Sequence, residues 1–302
     1  MPQEYLVPLG NFAGLTPEEA DFARARVALV PVPYDATVTF RAGAREGPAA
    51  IIAVSNELEL YDPELDWEPS QAGIHTLPLV EPLLGDPRPM LDRVANVVGD
   101  LLRKGKLVGM LGGEHSLTLG AVRAYTATYP DLGVLCLDAH ADLRDSYLGT
   151  KLGHASVVRR LLEVCPVTLV GVRSLALEER PFLNSPGLCV VSGRQAASGA
   201  GVKRAIAGLP PNVYLSIDLD VLDPSLMPAV GCPVPGGLGW HDLVGLVAAV
   251  ARQRRIVGFD VMELCPQAGP PACASTAANL VYKVIGYALA PNRIPAEAST
   301  WT

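Results

Sequence analysis

Short apolar runs recur along the whole chain, and almost none of them alternates between apolar and polar residues. Val27–Val32, Leu107–Leu111, Gly133–Leu137, Val167–Val172, Leu188–Val191, Val213–Ile217 and Ile256–Phe259 each have the length of one strand. They are rich in Val, Leu and Ile. A strand with one wet face alternates and a strand covered on both faces does not, so these runs predict a parallel sheet buried between helices. The stretches Met90–Lys104, Leu117–Thr128, Ser156–Val164, Asp242–Arg252 and Ala277–Ala288 have helical length and spacing. Strand-then-helix repetition points to a doubly wound α/β sheet. Residues 60–90 and the tail beyond Pro291 are Pro-rich and less regular. No shift in composition divides the chain, so residues 1–302 are expected to form one domain.

The balance of residues narrows the partners. Hydrophobic residues make up 49% of the chain and charged ones 18%, enough for a large buried core. The net charge is −7 with no long basic run, which argues against nucleic acid, since phosphate binding needs a cationic surface. A small cationic substrate suits this charge. No run approaches the roughly 18 apolar residues that span a bilayer, and Met1-Pro2-Gln3-Glu4-Tyr5 has no signal-peptide character. The six cysteines form no CxxC pair, and Cys136, Cys165 and Cys189 lie in or beside apolar runs. Buried free thiols and a cytoplasmic location are the expectation.

The chemistry lies in the segments directly after the apolar runs. Leu107–Leu111 leads into Gly112-Gly113-Glu114-His115-Ser116, and Gly133–Leu137 into Asp138-Ala139-His140-Ala141-Asp142. Val213–Ile217 leads into Asp218-Leu219-Asp220, and Ile256–Phe259 into Asp260-Val261-Met262-Glu263. Ligands of open parallel sheets bind at the carboxyl ends of the strands, so these acids and histidines are expected to converge on one crevice. Asp138, Asp142, Asp218 and Asp220 cannot share it without a counter-charge. Two divalent ions would neutralise them, with His115 and His140 as nitrogen ligands, and an oxygen-rich set without thiolates favours manganese or a similar ion over structural zinc. In an extended segment, alternate side chains point the same way, which would bring Asp218 with Asp220, and Asp138 with His140 and Asp142, to the ions. Gly112-Gly113 would permit close backbone approach. Taken singly, an Asp-x-Asp is commonly a solvated turn, and Glu114 reads as a helix cap or a partner for neighbouring backbone.

Together, Gly-Gly-Glu-His-Ser, Asp-Ala-His-Ala-Asp and Ser216-Ile217-Asp218-Leu219-Asp220-Val221-Leu222-Asp223-Pro224 resemble the signature segments of the ureohydrolases. That family includes arginase, agmatinase, guanidinobutyrase and formiminoglutamase. The resemblance runs from Arg41-Ala42-Gly43-Ala44-Arg45-Glu46-Gly47-Pro48, through Gly171-Val172-Arg173-Ser174, to Glu263-Leu264-Cys265-Pro266. It implies an arginase-like fold, a three-layer α/β/α sandwich with a central, mostly parallel sheet. It also implies two Mn²⁺ per subunit: one bound by His115, Asp138, Asp142 and Asp218, the other by His140, Asp138, Asp218 and Asp220. A hydroxide between the ions, oriented by Asp142, would attack the guanidinium carbon. His154 would deliver a proton to the departing amine, and Glu263 would pair with the guanidinium. Family members assemble as trimers or hexamers, so a homo-oligomer is implied.

The stretch Asp142–His154 resembles the agmatinase-like branch, lacking the Asn/Ser-rich segment with which arginases grip an α-carboxylate. Agmatine, converted to putrescine, or N1-aminopropylagmatine, converted to spermidine, is the implied substrate. Arg144 near the entrance would equally suit guanidinobutyrate, or it pairs with Asp145 on the surface. Val230 and Cys232 stand where the family has two hydroxyl residues lining the guanidino pocket. That departure leaves open a degenerate relative retained as a binding protein. An acylpolyamine deacetylase of the same fold is disfavoured by the paired histidines, and a dinucleotide site by the absence of G-x-G-x-x-G spacing.

Overall fold

Every one of the apolar runs forms a strand. In the computed structural model, which describes residues 10–295, the strands are β1 (Val27–Val32), β2 (Ile74–Thr76), β3 (Leu107–Gly112) and β4 (Leu132–Leu137). They continue with β5 (Val167–Val172), β6 (Leu188–Ser192), β7 (Asn212–Asp218) and β8 (Arg255–Met262). Met1–Tyr5 and the end of the Pro-rich tail lie outside the described residues. All eight join one sheet in the order β2-β1-β3-β8-β7-β4-β5-β6, and every neighbouring pair is parallel.

The missing alternation has the expected cause. All of β1 is buried: Val27 and Leu29 join the core on one face, Ala28 and Val30 the core on the other. The first core is closed by α1 (Gly47–Val54), α5 (Gly193–Ala196), α6 (Gly199–Ala207), α7 (Trp240–Ala251) and α8 (Ala272–Leu289). The second is closed by α2 (Pro87–Arg103), α3 (Thr118–Thr126) and α4 (Val157–Leu161). The result is an α/β/α sandwich. No helix among the described residues is long and apolar enough to cross a membrane.

Apolar periodicity does not mark β2, which lies in the Pro-rich stretch, or the short helices α1, α5 and α6. It also places the start of α2 three residues late. There Pro87 occupies the first helical turn and the Asp86 side chain caps it by accepting from Arg88 N (3.0 Å).

The sheet order decides where chemistry can happen. β3, β8, β7 and β4 are consecutive, so the four motif-bearing strand ends stand side by side at the middle of one sheet edge. At the end of β3 the backbone passes close to Tyr34: a Cβ on Gly113 would fall 1.9 Å from the Tyr34 carbonyl oxygen. Gly113→Ala is therefore expected to destabilise the fold by about 1–3 kcal/mol through overpacking against backbone. Chemical denaturation measures this; an unchanged midpoint would show that the Tyr34 segment moves aside at no cost.

Candidate metal centre and substrate pocket

Asp138 and Asp218 are held by two copies of one local device. Asp138 follows β4, and its Oδ1 accepts from His140 N (2.6 Å). Asp218 ends β7, and its Oδ1 accepts from Asp220 N (2.9 Å). Each aspartate thus caps the turn that carries the next acidic or histidine side chain. The two turns are tied together by Ala139 N, which donates to Asp220 Oδ1 (2.9 Å). This corrects the expectation of extended, alternating segments: Leu219–Val221 is a 3₁₀ turn, and Asp142 has φ +48°. Turns bring the side chains to one side where strand alternation was expected to.

The atoms left over face one another. His115 Nδ1 lies 3.1 Å from Asp138 Oδ2, 3.4 Å from Asp218 Oδ2 and 3.6 Å from Asp142 Oδ2. His140 Nδ1 lies 2.7 Å from Asp220 Oδ2 and 3.7 Å from Asp138 Oδ1. His115 Nε2 lies 3.0 Å from Ser216 Oγ, whose own proton goes to Asp260 Oδ1 (2.7 Å). Ser216 therefore accepts from Nε2–H, leaving Nδ1 as a bare lone pair aimed at carboxylate oxygens. His115 Nδ1 and Asp138 Oδ2 are fully buried and have no hydrogen-bond partner among the described residues. Acceptors crowded against acceptors need a proton or a metal cation between them, and this donor set fits a divalent metal. Cys136 also approaches His115, but from the Nε2 side at 3.8 Å, away from the acids.

Asp260, in sequence no more than the first acid of a motif, lies beneath the site. It is fully buried in β8 and accepts from Ser216, Thr118 (2.9 Å) and Tyr214 (2.8 Å). Through Ser216 it sets the tautomer of His115. The sequence does carry a signal for this role: an acid inside an apolar strand must have partners. Arg173 is the second residue whose role the motifs do not reveal. Its guanidinium donates to the carbonyls of Asp220 (2.7 Å), Val234 (2.8 Å) and Gly171 (3.2 Å), pinning the β7 turn to the loop around residue 234.

Above the acids opens a cleft of about 330 Å³. His115, His140, Asp142, Asp218, Asp220, His154 and Glu263 all line it. Glu263 has φ +67°, an uncommon conformation held by His115 N donating to Oε1 (2.6 Å) and by its own N–H donating to Gly113 O (2.8 Å). Glu263 Oε2 has no hydrogen bond among the described residues. Burial, with Glu114 nearby, raises the Glu263 carboxyl to about 8. His154 is half-buried, and burial lowers it to about 4.

Two further expectations change, and a third is decided. Val230 is fully buried in the core and bridges to Leu264, so only Cys232 of that pair lines the cleft. Arg144 pairs with Glu178, not Asp145, and lies over the Tyr147 ring at 4.6 Å. Asp145 instead binds Lys151 and Arg160. Of its two expected roles Glu114 takes the second: it makes no side-chain cap, and its carboxylate accepts from the backbone and hydroxyl of Thr37 and from the Ser116 hydroxyl.

Residues 25–286 match the sequence profile of the arginase family. The chain belongs to the arginase family. It is 38% identical to N(1)-aminopropylagmatine ureohydrolase of Thermus thermophilus over 89% of this chain and 92% of the relative. It is 36% identical to the enzyme of the same name from Synechocystis sp., over 88% and 90% of the two chains. The crystal structure of agmatine ureohydrolase of Thermoplasma volcanium superposes with a TM-score of 0.81 at 31% identity, covering 90% of this chain and 93% of that one. This arginase-family protein is thus an enzyme of the ureohydrolase type.

Metal loading is expected to release protons. Burial pulls His140 down, but its hydrogen bonds to Asp138 and Asp220 outweigh it and raise it to about 12; burial and the Asp138 charge raise Asp142 to about 7. Both groups carry a proton at or below pH 7 without a cation, and a metal binds only their deprotonated forms, so affinity should rise with pH. Calorimetry in buffers of different ionisation heat measures the protons released; zero release would overturn this expectation. Asp260→Asn should weaken metal affinity roughly tenfold, as loss of a group orienting a ligand does. Unchanged affinity would separate Asp260 from the site.

Proposed function

We propose that the chain is a manganese-dependent hydrolase that cleaves agmatine to urea and putrescine, or N1-aminopropylagmatine to urea and spermidine. The observation that carries this reading is the buried, partnerless pair His115 Nδ1 and Asp138 Oδ2 beneath a cleft that also presents Glu263 Oε2. In this reading His115, Asp138, Asp142 and Asp218 hold one ion, and His140, Asp138, Asp218 and Asp220 the other. When bound, the ions supply Lewis acidity and make water a competent nucleophile at neutral pH.

The chain's own residues do the rest. Glu263 is anchored through Oε1 to the His115 amide, so its free Oε2 is held in place to bind the guanidinium and orient its carbon. Its raised carboxyl is drawn to the charged form by that cation. His154, kept neutral by burial, has a free ring nitrogen that can take up the proton lost by the attacking water and pass it to the departing amine as the C–N bond breaks. Val38, Phe40 and Leu175 line the outer cleft and suit a chain of methylenes. The charge of Arg144 is matched by Glu178, which lowers its repulsion of a second substrate cation. The names of the relatives from Thermus and Synechocystis support the longer substrate.

A second reading, 4-guanidinobutyrate, is favoured by one feature: Arg41 lines the cleft and makes no salt bridge among the described residues. The free cysteines support the expectation of a reducing cytoplasm, and the exposed Phe40, Leu148 and Leu177 support assembly as a homo-oligomer, trimer or hexamer.

Urea release from agmatine, N1-aminopropylagmatine, 4-guanidinobutyrate and arginine, assayed in parallel with Mn²⁺, tests the reading. Agmatine or its aminopropyl derivative should be preferred, and Asp218→Ala should abolish turnover. Glu263→Gln should lower kcat/KM on the order of a hundredfold, the cost of removing one partner of a buried charge pair. Preference for guanidinobutyrate would move Arg41 into substrate binding, and urea from none of the four would overturn the substrate assignment.

A further inference from the structure

Glu114 is an acid that the proposed reaction does not use, and it is fully buried beside the metal centre. Its carboxylate accepts from Thr37 N (2.6 Å), from Thr37 Oγ1 (2.6 Å) and from the Ser116 hydroxyl. Thr37 lies in the segment after β1, 77 residues away in sequence, so it brings two donors from a distant part of the chain to join the neighbouring Ser116.

The Thr37 hydroxyl has one proton, and its short bond to Glu114 takes it. Its lone pairs then remain for His154. His154 N donates to Thr37 Oγ1 at 3.1 Å, and His154 Nδ1 lies 3.3 Å from the same oxygen. Since Thr37 has no second proton to give, Nδ1 must be the donor. The ring is thereby fixed as the Nδ1–H tautomer, with Nε2 unprotonated and without a hydrogen bond among the described residues. Tyr147 meets the ring edge-on at 6.4 Å between centroids, limiting its tilt.

We propose that Thr37 is a positioning residue for His154: held by Glu114, its hydroxyl selects the Nδ1–H tautomer and leaves Nε2 as the nitrogen that exchanges a proton with substrate. This rests on the ureohydrolase reading for its kinetic consequence but not for its geometry. The relay Glu114–Thr37–His154 orders a histidine that sits on a loop, where the 3₁₀ turn His154–Ser156 alone would not fix the ring. Thr37 itself touches no reacting atom.

The test uses the full-length chain with ¹⁵N-labelled histidine, loaded with diamagnetic Mg²⁺ and also metal-free, with His154→Asn to assign the ring. Long-range ¹H–¹⁵N spectra should show His154 as Nδ1–H in the unsubstituted protein. In Thr37→Val the spectra should show a tautomer mixture, and in Thr37→Ser a return to Nδ1–H. With Mn²⁺, Thr37→Val should lower kcat on the order of tenfold, part of what a positioned proton donor contributes, with KM within about twofold. Thr37→Ser should restore kcat.

An Nε2–H tautomer in the unsubstituted protein overturns the proposal without any substitution. So does a Thr37→Val protein with unchanged spectrum and kcat, or a Thr37→Ser protein that rescues neither. If no substrate yields urea, the spectra still decide the relay, and the failure belongs to the functional reading alone.

Discussion

Mutual repulsion among buried carboxylates is the condition under which the rest of this structure has to work. Asp138, Asp142, Asp218, Asp220 and Glu263 all sit at one edge of the sheet with little or no exposure. Left to themselves they would be driven apart or protonated. Four of them instead give one oxygen to a backbone amide: Asp138 to His140, Asp218 to Asp220, Asp220 to Ala139, and Glu263 to His115. Fixed dipoles of the chain thus hold each carboxylate by one oxygen and commit the other to a shared space. The repulsion that remains is what cations placed there would relieve. The same arrangement holds Glu263, a non-glycine residue, at positive φ.

Outside that centre, support comes from residues chosen for the number of bonds they make. Arg173 satisfies carbonyls of two loops at once, which a lysine ammonium on a flexible stem would do poorly. Asp260 collects three hydroxyls in a strand where an unpaired acid would be costly. Neither reaches the cleft, yet both fix groups that do.

The strands and the crevice are legible in the sequence because their cause is local. A run such as Val27–Val32 is apolar throughout only when both faces are covered, and helices do cover both. The convergence of His115, Asp138, Asp218 and Glu263 follows from parallel strand ends. The means of convergence does not. That Asp138 and Asp218 each cap a turn, and that Thr37 and Glu114 meet across 77 residues, depends on contacts that no periodicity encodes. β2 has only three residues and lies in a Pro-rich segment, so its pairing with β1 comes from the tertiary fold. Val230 departs from expectation for a similar reason: in an irregular loop, neighbouring residues need not face the same way, and Val230 turns to the core while Cys232 turns to the cleft.

The strand order also dictates a timetable. β3 and β4 are synthesised early, but in the finished sheet β8 and β7 lie between them. Until residues 255–262 leave the ribosome, the gap between those two strands cannot close, and His115 and Asp138 have no reason to be neighbours. Asp138, His140, Asp218 and Asp220 can meet once β7 pairs with β4, whereas His115 and Glu263 join them only when nearly the whole chain is available. Completion of the centre becomes the closing act of folding.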